Sequence, residues 1–369
     1  MTDIATSRAV MHSIIQRIAT GPELSKDISQ EEARLGMQAI LKGHVDDVQA
    51  AIFLIALRMK RETNEENLGI LDAILQTSQS VTAEVDEVIS IADPYDGFNR
   101  NLLVAPFLPM LLAECGLPAI SHGLDKVGPK YGVTHRHVLQ AAEMSVDLTV
   151  EQAAERLADP AVGWAYLDQS SFCPELHDLI PLRQRIIKRQ VLTTVEVIAK
   201  PISGQKKTHL VTGYVHKPYP PKYATLARHA GFQGALLVRG TEGGVIPSLR
   251  QQGMVFRYDD FGEEVSQEIN PRALGIHQEV RAVPLPENLP KQPRRGDEVA
   301  IMVDVEATAA AAAKAGIAAL KGEPGPTYDS LLYAGSLILW HTGRETSLEA
   351  AANRLRTVLD SGNTLNRLR

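Results

Sequence analysis

Residues 88 to 108 read VISIADPYDGFNRNLLVAPFL, an apolar β-branched run, then a polar turn, then a helical pattern. Such a junction suits anion chemistry, because unpaired backbone N–H groups and the helix dipole both favour negative charge at a helix start. The turn offers Tyr95, Asp96, Gly97 and Asn99, and Arg100 adds a guanidinium able to grip a phosphate through two parallel hydrogen bonds. Other features oppose that use: Pro94 has no N–H, and Asp93 and Asp96 repel phosphate unless a cation intervenes. A surface pairing of Arg100 with Asp93 or Asp96 accounts for the arginine equally well.

Three further places carry candidate chemistry. His122 and Gly123 follow the apolar run LPAIS directly, where α/β sheets commonly hold site residues, although a lone histidine also serves as a structural hydrogen-bonding group. The stretch GPKYGVTHRHV supplies Lys130, Gly132, Thr134 and Arg136 as polar or glycine positions. In the turn Arg239-Gly240-Thr241-Glu242-Gly243-Gly244 the single acid could hold a cation or simply cap the turn. A different signal is charge: residues 182–228 hold ten Lys and Arg against one acid, Glu196, whereas the whole chain carries a net charge of -6. Arg183, Arg185, Lys188 and Arg189 fall within about two helical turns, and the spacing predicts the last three on one helical face. Lys206 and Lys207 extend the segment. Such segregation can focus an anionic ligand onto one surface, or it can be a basic face paired with acids of the same fold.

These residues need a frame, and 369 residues are enough for two lobes with a substantial core. Apolar residues at 44% and charged residues at 22% are ordinary for a globular protein and exclude a disordered chain. Ser29 with Glu32 and Thr63 with Glu66 have the spacing of capping boxes, and Gly43 offers a left-handed stop, so helices fill the first 85 residues. The run VQAAIFLIALRMK predicts a largely buried helix whose apolar face could also pair with another copy. From Glu87, short runs (EVISIA, LPAIS, THLVTGYV, GALLVR, MVFRY, EVAIMVDV) alternate with helical stretches, predicting an α/β fold with a mainly parallel central sheet. Residues 150–190 read as helical and are expected to join the helical lobe. Residues 283–298 read as a surface connection. Cys115 and Cys173 form no ligand or disulfide pattern, and no metal site is expected. No apolar run of membrane length and no secretion signal occur, so a cytoplasmic location is expected.

The segment SQEEARLGMQAILKGHVDDVQAAIFLIALRMKRETNEENLGILDAI resembles the amino-terminal helical domain of anthranilate phosphoribosyltransferases, glycosyltransferase family 3. SLEAAANRLRTVLDSG resembles that family's closing segment. The resemblance implies a helical domain over residues 1–85, joined by helices from about 150–190, and an α/β domain over residues 86–369. It also implies a homodimer through the amino-terminal helices. The family's glycine-rich loop G-T-G-G-D aligns here with residues 92–97, its N-x-S-T with Asn99-Arg100-Asn101-Leu102, and its K-H-G-N-R with Ser121-His122-Gly123-Leu124-Asp125. The family's adjacent Asp-Glu pair, which holds magnesium, has no counterpart after Arg239-Gly240. Arg183 in CPELHDLIPLR matches the arginine that faces the aromatic acid substrate, with Cys173 in place of a histidine.

Three function classes follow. The first is a family paralogue that binds nucleic acid on a basic groove through Arg185, Lys188, Arg189, Lys206 and Lys207; Tyr95, Phe98 and Tyr131 are the aromatics available for stacking. The second is a pentosyltransferase with altered donor or acceptor handling, for which magnesium is expected only if transfer is retained. The third is a binding protein for a small phosphorylated metabolite. No cofactor is otherwise expected, and neither is the family's usual anthranilate transfer.

Overall fold

A computed structural model describes residues 3–21, 23–290 and 303–368. Four helices open the chain: α1 (Ile4–Ile18), α2 (Gln30–Leu41), α3 (Asp47–Lys60) and α4 (Asn64–Thr77). Their starts are set locally. Ser29 and Glu32 form a reciprocal capping box on α2, Thr63 and Glu66 form another on α4, and Asp46 caps α3. Past α2 the chain turns at Gly43 with φ +65°, which glycine adopts without strain. Helices α2 and α4 pack closely because α4 carries Gly69; a Cβ there would lie 2.1 Å from the Gln30 carbonyl oxygen. Phe53, Leu54 and Leu57 of α3 are fully buried in this bundle, each removal from water contributing about 1.5–3 kcal/mol.

Nine strands follow: β1 (Val81–Thr82), β2 (Glu87–Ala92), β3 (Ala119–Gly123), β4 (Trp164–Asp168), β5 (Ile202–Ser203), β6 (Lys207–Gly213), β7 (Gly234–Val238), β8 (Gly253–Tyr258) and β9 (Val265–Ile269). β1 and β5 form a small parallel pair, and the other seven form one sheet in the order β4-β3-β2-β6-β7-β8-β9. All pairings from β4 to β7 are parallel, whereas β8 and β9 add on antiparallel. The α/β fold with a helical amino-terminal bundle and a mainly parallel sheet is therefore as the sequence predicts.

Side chains alternate along the strands and divide the core in two. Ile89, Ile91, Val211 and Leu236 pack under the helices Leu108–Glu114, Val305–Leu320, Pro326–His341 and Leu348–Ser361. Val88, Ile120, Leu210 and Leu237 lie on the opposite face, in one continuous core with Met11, Ile14, Phe53 and Ile70 of the helical bundle. The bundle is thus cemented to one face of the sheet.

Residues 150–190 depart from their helical reading. They contain the fully buried strand β4 at the sheet edge, between the helix Val150–Ala158 and the short helices Gln169–Phe172, Pro174–His177 and Ile180–Ile186. The run EVAIMVDV lies largely outside the described residues, and its last residue, Val305, begins a helix. Part of the connection 283–298 is likewise outside them. No helix among the described residues is long and apolar enough to cross a membrane.

Candidate functional site

The carboxyl ends of β2, β6 and β7 open into a cleft of about 860 Å³, walled on the other side by Arg58 of α3 and by the helix Tyr219–His229. Parallel strands end here and their connecting loops diverge, the usual origin of a ligand crevice in an open α/β sheet.

The loop after β2 is held by its own acids and glycines. Asp93 is turned inward: one carboxylate oxygen accepts the Val245 N–H at 2.8 Å and the other pairs with His135 Nε2 at 3.0 Å. Gly97, with φ +77°, passes so close to Gly132 that a Cβ on it would lie 2.5 Å from the Gly132 carbonyl. Phe98 and Val133 exchange two backbone hydrogen bonds of 2.9 and 2.8 Å across this approach. Gly97 and Gly132 therefore serve loop-to-loop packing. Thr134 closes the second loop, donating from its hydroxyl to the Asp125 carbonyl at 3.3 Å.

Asp96 is almost fully buried and lies between two cations, Arg189 at 2.6 Å and Lys130 at 3.3 Å. Glu242, on the turn after β7, accepts the Arg100 N–H at 2.8 Å and the Asn99 N–H at 3.4 Å, with Lys130 at 3.7 Å. Two successive backbone donors, the arrangement that cradles anions, are thus filled by a carboxylate of the chain itself. The Arg100 side chain is exposed in the cleft and has no ion pair with Asp93 or Asp96.

His122 lies behind the cleft wall. Its Nδ1 is hydrogen-bonded to the Tyr95 hydroxyl, its ring packs edge-on against Phe172, and Nε2 has no partner. Burial, reinforced by the charge of His135, lowers its pKa to about 3, so the ring is neutral near pH 7 and carries a single proton, either on Nδ1 within the hydrogen bond to the phenol or on Nε2. Burial also raises the Tyr95 pKa well above its ordinary value. Tyr95 reaches the cleft, whereas His122 and Gly123 do not line it.

Arg183 meets a different environment from the one the resemblance implies. Its guanidinium is fully buried and makes two hydrogen bonds to Glu196, 2.7 and 2.8 Å long, so it is a strut beneath the cleft and not an open cation. The single helical face predicted for Arg185, Lys188 and Arg189 is also broken. The helix Ile180–Ile186 ends at Ile187, whose φ of +68° is left-handed, and the chain then turns Arg189 into the cleft toward Asp96. Arg185 stays outside, paired with Asp47 at 2.6 Å, and Lys188 is exposed.

Lys206 and Lys207 sit at the opposite, amino end of β6, paired with Asp86 at 2.8 Å and Asp260 at 2.7 Å. The length of β6 puts roughly 20 Å between them and the cleft. The basic segment thus splits between two ends of the sheet, and much of it is paired with acids from elsewhere in the fold. Conversely, Arg58, Arg239 and Arg281 line the cleft although no local spacing marks them. The accessible ring faces there belong to His216 and Tyr219, while Tyr95 and Phe98 are buried.

Comparison with known proteins agrees with this architecture. The helical bundle domain of a glycosyl transferase family matches residues 12–78. An uncharacterized protein of Aquifex aeolicus is 31% identical over 68% of this chain and 74% of its own length. The anthranilate phosphoribosyltransferase of Novosphingobium aromaticivorans is 26% identical over 92% of this chain and 96% of its own. The crystal structure of anthranilate phosphoribosyltransferase from Thermus thermophilus superposes with a TM-score of 0.74, at 18% identity over 97% of both chains. By sequence and by fold, the chain belongs to the anthranilate phosphoribosyltransferase-like glycosyl transferase family.

Proposed function

We propose that the cleft binds a phosphate-rich ligand, with single-stranded nucleic acid as the class it suits best, and that the chain does not perform the transfer for which its relatives are named. The charge balance of the cleft wall carries this reading. Six cations, Arg58, Arg100, Lys130, Arg189, Arg239 and Arg281, face three carboxylates, and Asp96, Glu196 and Glu242 are all bonded within the protein already. A volume of about 860 Å³ accommodates several phosphates with their sugars, and the His216 and Tyr219 rings supply faces on which bases can stack. A small phosphorylated metabolite would use the same cations and less of the cleft.

The magnesium implied by the family does not fit the residues at the corresponding turn. Glu242 stands there with both oxygens engaged by backbone N–H groups, and Asp96 is enclosed by two cations. Contacts from the cleft cations to phosphate do the binding.

The test is a fluorescence-anisotropy titration with a labelled single strand at about 50 and 200 mM salt, where each phosphate contact contributes roughly 0.7 to the slope of log K against log salt. Arg189→Glu and Arg58→Glu are expected to weaken binding at least tenfold. Lys206→Glu and Lys207→Glu, at the far end of β6, are expected to leave it within twofold. Absence of binding at the lower salt, or pyrophosphate release from phosphoribosyl pyrophosphate and anthranilate well above background, overturns the proposal.

This reading also takes the chain as a homodimer through its helical bundle. Val48, Ile52, Ile55 and Met59 follow one another along one face of α3, with Val48 65% and Met59 76% exposed. Met59→Glu is expected to shift the mass measured by light scattering from two chains to one.

A further inference from the structure

Three of the six cleft cations are already paired and three are open; among the paired ones, Arg58 bonds Glu62 and the Tyr219 hydroxyl, each at 3.1 Å. Lys130 and the partly exposed Arg189 are both ion-paired with Asp96, and Glu242 is adjacent to Lys130. Arg100, Arg239 and Arg281 are exposed, line the same cleft, and their guanidinium groups have no hydrogen bond or ion pair among the described residues. An arginine that gains nothing from its own fold retains its full capacity for bidentate contact with a phosphate.

Backbone pairing brings these three residues to one wall. Arg100 lies two positions before Leu102, whose N–H donates to the Val283 carbonyl at 2.9 Å. Arg281 lies two positions before Val283, and its own carbonyl accepts the Leu249 N–H at 3.0 Å. Leu249 belongs to the loop after β7, which folds back through the Gly240–Pro247 bridge directly beside Arg239. The segment around Arg281 is therefore stitched on one side to the loop that carries Arg100 and on the other to the loop that carries Arg239. Ser248 and Gln251, neutral hydrogen-bonding side chains, line the cleft alongside them.

We propose that Arg100, Arg239 and Arg281 form a phosphate-docking wall, distinct from Lys130 and Arg189, which makes the first and main contact with the phosphates of the ligand. The inner pair is held in reserve by Asp96. A phosphate reaching Lys130 or Arg189 must compete with a carboxylate tethered at hydrogen-bonding distance, whereas a phosphate on the outer wall displaces only water. The inference rests on the reading of the cleft as a phosphate-rich ligand site, and it assigns the residues that select the ligand's charge.

Two probes test it on the full chain: inorganic pyrophosphate by titration calorimetry, and a single-stranded oligonucleotide by anisotropy. The double variant Arg239→Gln/Arg281→Gln is expected to weaken both at least tenfold and to lower the salt slope for the oligonucleotide by about 1.4, two single-strand contacts' worth. Because both side chains are exposed and unpaired, its thermal midpoint is expected to match the parent's, which separates binding from folding. Asp96→Asn, which releases the inner pair, is expected to strengthen pyrophosphate binding several-fold.

If the parent binds either probe and the double variant binds it within twofold, the wall is wrong while the cleft reading stands. If Asp96→Asn brings no gain, the division into open and reserved cations is wrong. Should the parent bind neither probe, the cleft reading fails and the wall with it. Pyrophosphate binding without oligonucleotide binding keeps the wall and assigns it to a free phosphorylated ligand.

Discussion

Replacing Arg183 separates a strut from a ligand contact. Its guanidinium and the Glu196 carboxylate are 0% and 2% exposed and share two hydrogen bonds, so neither charge has access to water as an alternative partner. Arg183→Met leaves the Glu196 carboxyl buried without its partner, and Glu196→Gln does the same to the arginine. Removing one member of such a pair costs about 3–5 kcal/mol, whereas removing both with well-packed apolar groups is often close to neutral. With a urea dependence of about 3 kcal/mol/M, each single variant is expected to lower the unfolding midpoint by about 1–1.7 M. Arg183→Met/Glu196→Leu is expected to recover most of that loss. The assay is urea unfolding followed by circular dichroism, run beside an oligonucleotide titration of each folded variant. An arginine that faces ligand would produce the opposite pattern, weakened binding with an unchanged midpoint and no recovery in the double variant, and that result would refute the assignment.

Two other perturbations probe the scaffold of the cleft. Gly97→Ala forces a left-handed φ onto alanine and drives a Cβ to 2.5 Å from the Gly132 carbonyl, which is expected to cost about 1–3 kcal/mol, visible as a thermal midpoint several degrees lower; an unchanged midpoint contradicts the close approach of the two loops. His122 supplies a pH dependence of definite sign. Its folded pKa of about 3 lies below the ordinary value of 6.5, so the unfolded chain binds a proton that the folded chain refuses between those limits. Stability therefore falls as pH drops from about 6.5 toward 3, by up to about 1.4 kcal/mol per unit from this group. His122→Asn is expected to flatten the fall in denaturation midpoint between pH 6.5 and 4.5, and a slope equal to the parent's argues against a buried neutral ring.

The parts of the fold that can be read from the chain are those whose determinants are local. Ser29 with Glu32 and Thr63 with Glu66 cap helices within a single turn, and the run EVISIA buries both faces of a parallel strand, so each signals itself over a few residues. β4 is not separable in this way, since WAYLD is five residues long and set among helical patterns. β9 escapes because VSQEI is mostly exposed and has too few apolar residues to show an alternation. The Arg185-to-Arg189 helical face fails at one residue, Ile187, a β-branched side chain in a left-handed conformation that its type disfavours. Site residues fare worse for a related reason. Whether Arg185, Arg189, Lys206 or Lys207 is open depends on Asp47, Asp96, Asp86 and Asp260, all remote in sequence. Arg58, Arg239 and Arg281 come together only once the bundle, the sheet and the loops have packed.

The same distribution explains how a chain with a net charge of -6 can present a cationic cleft. Acids spread over the surface neutralise basic groups where the fold has no use for them, as at Arg185 and Lys206, and leave arginines unpaired at the carboxyl ends of the strands. Within the cleft, Asp96 and Glu242 set a threshold. Unit charges about 4 Å apart near a protein surface interact by roughly 4 kcal/mol, and a tethered carboxylate keeps that interaction at no cost in translational entropy. A small monoanion arriving from solution loses that entropy and gains only what Asp96 already supplies. A ligand with several linked phosphates escapes this limit, because its first contact at the open arginines makes each later contact intramolecular. If the cleft takes the phosphate-rich ligand proposed above, charge number, more than shape, decides what stays in it.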